Sequence, residues 1–94
     1  RCDYRYQSLA AGFRMRNMDP FLVEVAPLPE GERRGQNAHD GQEFAMVLEG
    51  RLELTIENHC IVLEQGDSIY FDSTRPHCMH ALDNKTVKFV SIVG

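Results

Sequence analysis

His39, Glu43 and His77 are the residues of this chain whose types and surroundings point most directly to chemistry. Neutral imidazole nitrogen and ionised carboxylate oxygen are competent ligands for iron, zinc, nickel or manganese. Two histidines and one carboxylate on one face of such an ion leave its other positions open. His39 and Glu43 stand four apart, which would align them on a helix, but Gly41 and the aromatic, β-branched flank argue for a strand. A turn at Asp40-Gly41 can then fold the imidazole back toward the carboxylate, with His77 arriving from a later strand. Taken singly, His39 reads as a solvated loop histidine and Glu43 as a solvent-facing strand end. The glycines around both stretches favour the joint reading of all three as ligands of one divalent ion.

The remaining polar residues carry weaker signals. His59 sits beside Asn58 in a turn and is expected at the surface. His80, three positions past His77, points to the opposite face of a strand, and Cys78 is out of phase in the same way. Cys78 is expected to be a small buried or interface thiol. Tyr4, Tyr6 and Arg14, with Arg16, are candidates to line a pocket for a small acidic ligand, or else are ordinary edge-strand residues. Asp72-Ser73-Thr74 reads as a polar turn. There is no Ser/His/Asp nucleophile arrangement, phosphate-binding loop or zinc-finger spacing.

The elements that must position these residues are short strands. Leu52, Leu54 and Ile56 alternate with Glu53, Thr55 and Glu57, a period of two that a helix cannot satisfy with a single buried face. Tyr4–Leu9, Phe21–Val25, Glu43–Glu49, Cys60–Leu63, Ser68–Phe71, His77–Leu82 and Val87–Val93 read as further strands, and residues 10–19 as a mixed connector. Residues 27–38, with two prolines and two glycines, read as a loop, and Gly50 as a turn between two β-rich runs. The fold class is all-β, a sandwich or barrel with turns at short intervals.

Size and charge narrow the function classes. Ninety-four residues make one domain, and a net charge of −4 argues against nucleic-acid binding by this segment itself. No apolar run reaches membrane-spanning length, so no membrane partner is expected. Three widely spaced cysteines form neither a disulfide framework nor a Cys-x-x-Cys zinc grip, and a reducing, cytoplasmic home is expected. The start at Arg1, with strand-like alternation already under way, is expected of a piece of a longer chain.

Gly35, His39, Glu43 and Gly50 resemble the first motif of the cupin family, and Gly66-Asp67, Pro76-His77 and Asn84 resemble the second. The second histidine of the first motif falls at Gly41, and the glycine of the second motif is missing near Thr74-Arg75. The runs Gly41–Gly50 and Gly66–Ser73 are similar to the C-terminal sensor domains of helix-turn-helix (XRE-type) transcriptional regulators.

That resemblance implies one cupin-type β-barrel (jelly roll) over residues 1–94, with a DNA-binding domain ahead of it in a longer chain. It implies a divalent metal on His39, Glu43 and His77 and a small-molecule effector in the barrel that modulates the attached domain. The alternative it implies is a mononuclear non-haem iron oxygenase or epoxidase of the same family. A homodimer is expected from the residues themselves, because Phe44, Met46 and Leu48 on one face and Ala45 and Val47 on the other make that strand apolar on both sides.

Overall fold

The computed structural model describes residues 4–94, so Cys2 lies outside them. Eight strands follow one another, β1 (Arg5–Ser8), β2 (Asp19–Val25), β3 (Gln42–Glu49), β4 (Leu52–Ile56), β5 (His59–Leu63), β6 (Ser68–Asp72), β7 (His77–Ala81) and β8 (Val87–Val93). Among the described residues there is no helix. One antiparallel sheet runs β1-β2-β8-β3-β6 and a second runs β5-β4-β7.

The β-rich runs on either side of Gly50 do not pair with each other. β3 bonds to β6 and β8, β4 to β5 and β7, so the turn hands the chain from one sheet to the other. Gly50 makes that turn with φ of +91, and a Cβ there would press on Val87 and Thr86 at 3.1–3.3 Å. β2 begins two residues before the apolar run, at Asp19, because β8 extends alongside it to Val93. Pro20 is tolerated there because β1 ends opposite Phe21, leaving no ladder partner in need of its missing N–H.

Period-two alternation fills one core from both sheets. Val23, Val25, Ala45, Val47, Val87 and Phe89 come from the larger sheet, and Leu52, Leu54, Leu63 and Met79 from the smaller. Each fully buried side chain of this kind contributes about 1.5–3 kcal/mol relative to exposure. On the outer face of the larger sheet Phe44 and Met46 are only half-buried and Leu48 is exposed.

β7 is the edge of the smaller sheet, yet its open side is occupied. The backbone of Asn37 exchanges two hydrogen bonds with His77, at 2.9 and 2.8 Å. Two residues on, the Tyr4 hydroxyl takes the place of a neighbouring strand at Met79. Toward Asn37 the edge is therefore covered by chain and side chain rather than left to pair with another molecule.

Candidate metal centre

Glu43 opens β3 in the middle of the larger sheet, opposite Phe71 on one side and Val93 on the other, and is 5% exposed. Inward parity follows from Ala45 and Val47, which share its face and are buried. A buried carboxylate requires partners. Its Oε2 accepts a 2.9 Å hydrogen bond from the Ser91 hydroxyl of β8, and its Oε1 faces two imidazoles. His39 Nε2 lies 3.3 Å and His77 Nε2 4.0 Å from that oxygen.

Both rings are oriented by their other nitrogen. His77 Nδ1–H donates to the carbonyl of Arg75 at 2.8 Å, and His39 Nδ1–H to the carbonyl of Asp40 at 3.3 Å. In a neutral ring held this way Nε2 presents its lone pair inward, the tautomer a metal ligand requires. The rings meet edge-on, centroids 5.2 Å apart, with Phe71 5.1 Å behind His77. The His39 main chain is tied down by its N–H to the carbonyl of Ser73 at 2.9 Å.

The three ligand atoms lie within 4.8 Å of one another. Ligands about 2.1 Å from one ion and roughly at right angles or tetrahedral stand about 3–3.5 Å apart. The 3.3 Å pair meets that spacing, and His77 must close by about half an ångström to one ångström on Glu43, and by more on His39, to complete the set. A neutral imidazole pair with an inward carboxylate oxygen fits a divalent ion. His39, 41% exposed at the side chain, leaves the outward side of the group open.

Gly41 explains why the set has three protein ligands. Its φ is +95, and a Cβ there would lie 2.3 Å from the carbonyl oxygen of Gly94, which also accepts from Gln42 N at 2.9 Å. A side chain at that position is excluded by the β3–β8 pairing.

The group sits in the wall of a cavity of about 740 Å³ between the sheets. Tyr4 and Tyr6 line it, but Arg14 does not, being exposed in the connector between β1 and β2. Ser91, Asp19, Asn37 and Asp40 also line it and were not singled out from sequence. Ser91 carried a signal, as the one polar residue among the inward positions Val87, Phe89, Ser91 and Val93 of β8. His80, on the opposite face of β7 as its phase requires, is not solvent-facing: residues 33–34 cover it, and Arg34 N donates to its Nε2 at 2.9 Å. Burial, then Arg33 and Arg34, push its pKa down. Cys78 is buried and Cys60 exposed.

Two facing sheets, with two imidazoles and a carboxylate converging in the wall of an open cavity, make an all-β domain with a candidate metal-binding group. The family model for the cupin domain (Cupin_2) matches residues 24–93, and the chain belongs to that family. The cupin domain of an XRE family transcriptional regulator from Enterobacter cloacae is similar with TM-score 0.80 and 22% identity, over 96% of this chain and 94% of that one. Hydroxypropylphosphonic acid epoxidase from S. wedmorenis is similar with TM-score 0.79 and 23% identity, over 97% of this chain and 50% of that one. The chain thus spans about half the length of the epoxidase. At these identities the likeness is one of fold.

Proposed function

We propose that this cupin domain is the sensor part of a cytoplasmic transcriptional regulator. It closes as a jelly-roll barrel around a divalent ion and a small effector, and modulates a helix-turn-helix domain elsewhere in a longer chain. The observation that carries the reading is the convergence of His39, Glu43 and His77 in the wall of the 740 Å³ cavity. The likeness to a regulator's cupin domain over nearly all of that chain supports it. When bound, the ion supplies Lewis acidity and open positions facing the cavity. The chain's own residues orient it: Ser91 holds Glu43, and the Arg75 carbonyl holds His77.

For such a ligand to signal, it must bind one conformation of the assembly better than another. A homodimer gives that assembly. Phe44, Met46, Val90 and Ile92 form contiguous cross-strand pairs on the outer face of the larger sheet, with exposed Tyr70 beside Phe44, and a second copy covers them.

A second reading, a mononuclear non-haem iron oxygenase or epoxidase, is favoured by the two-imidazole, one-carboxylate set itself. Elemental analysis of protein purified without chelator, beside the Glu43→Gln variant, tests the metal. Near-stoichiometric iron, zinc, nickel or manganese lost in the variant is the expected result, and wild-type protein that takes up none of the four overturns it. Turnover of a bound ligand by the iron form would replace the sensor reading with the enzyme one.

A further inference from the structure

The charge of the cavity wall restricts what it can hold. Among the described residues, its charged side chains apart from the two imidazoles are Asp19, Asp40 and Glu43, and no lysine or arginine lines it. A divalent ion and the Arg16 guanidinium paired to Asp19, set against three carboxylates, leave 2 + 1 − 3 = 0, so the wall carries no excess positive charge even with the metal in place, and without the metal it is negative. Two arginines stand beside the wall, and Arg34 keeps its Nε and Nη1 buried without a hydrogen-bond partner among the described residues. Arg16 Nε holds Asp19 Oδ1 at 2.7 Å, while Arg34 packs 5.1 Å over the Tyr4 ring and donates to the Ala26 carbonyl at 3.2 Å.

The acidic groups are spread along the cavity. Asp19 and Glu43 are both register partners of Val93, so they lie in one row across β2, β8 and β3. Two strand spacings put their backbones about 10 Å apart. Next to Asp19 the wall is aromatic: Tyr6 stacks edge-on with Phe21 at 5.6 Å and with Tyr4 at 6.2 Å. Aromatic faces beside carboxylates attract a desolvated cation and offer nothing to an anion.

We propose that the cavity takes a small elongated ligand bearing a protonated amine, its ammonium toward Asp19 and Asp40 and its carbon chain along Phe21 and Val23. The proposal rests on reading the cavity as the ligand pocket. It separates this domain from the epoxidase, whose named substrate is a phosphonic acid. It also turns the acidic ligand expected from Arg14 and Arg16 into a basic one, because neither arginine lines the wall.

Three probes of equal length and different end charge test it: hexamethylenediamine, hexamethylene glycol and adipate, titrated calorimetrically near neutral pH into zinc-treated and chelator-treated protein. The expected order is diamine, then glycol, then adipate, with the diamine about tenfold tighter than the glycol and weakened about tenfold in Asp19→Asn/Asp40→Asn. Circular dichroism checks that the double variant folds, and if it does not, the single Asp40→Asn carries the comparison. Adipate binding as tightly as the diamine, diamine affinity unchanged in the folded variant, or no diamine binding at about 10 mM overturns the proposal. Zinc content is measured on the same samples. Zinc-treated protein that takes up neither zinc nor, on the same treatment, iron, nickel or manganese, yet prefers the diamine, would end the metal reading alone, and zinc-loaded protein that prefers adipate would end this one alone.

Discussion

The hydroxyl of Tyr4 donates to the carbonyl of Met79 at 3.0 Å and accepts from the amide of the same residue at 2.7 Å. One phenol thus satisfies both polar groups that the open edge of β7 presents at that point, from a residue 75 positions away in sequence. The contact ties the chain entering β1 to the strand that carries His77.

Tyr4→Phe removes the hydroxyl and keeps the ring. Two part-buried backbone groups lose their partner, and urea unfolding should show a loss of about 1–3 kcal/mol. A variant within a few tenths of a kcal/mol of wild type would mean that water replaces the phenol without cost.

His77→Ala and His80→Ala separate the two faces of β7. His77→Ala should abolish or strongly weaken metal uptake measured by calorimetry, with the fold retained. His80→Ala should leave metal content near wild type. The covering of His80 by residues 33–34 raises its expected stability cost to about 1–3 kcal/mol, above the roughly half a kcal/mol of an exposed site. Equal metal losses for both variants would refute the strand phase.

His80 also predicts a pH effect. Its folded pKa lies below the ordinary 6.5, mainly through burial and then through Arg33 and Arg34, with Glu53 opposing. The unfolded chain therefore binds the proton more readily. The stability linked to His80 is present above about pH 6.5 and is lost as pH falls from there toward the folded pKa. Protonation would also break the Arg34 N–H bond to Nε2. Measured in urea between about pH 7 and 5, wild type should lose more stability than His80→Asn. Parallel curves would show that His80 does not report on acid stability.

Gly41→Ala should destabilise by about 2 kcal/mol or more, since the added Cβ meets the Gly94 carbonyl at 2.3 Å on a backbone of positive φ. Gly35→Ala, with open space around it, should be near neutral in the same thermal melt. A stable Gly41→His variant that binds metal more tightly would show that β3 can admit a fourth ligand.

The all-β class, most strand positions and the face occupied by Leu52 and Leu54 were legible in the sequence, because side-chain direction alternates with a period of two along any strand. His39, Glu43 and His77 were also named together from the sequence, and the structure brings their side chains within 4.8 Å of one another. What pairs with what was not legible. Only the tertiary structure placed β3 and β4 in different sheets, set Ser91 against Glu43, covered His80 with residues 33–34, and kept Arg14 out of the cavity wall. Each of these depends on contacts between residues far apart in the chain. Alternation fixes which way a side chain points, but the strand or loop that meets it is chosen by packing of the whole domain.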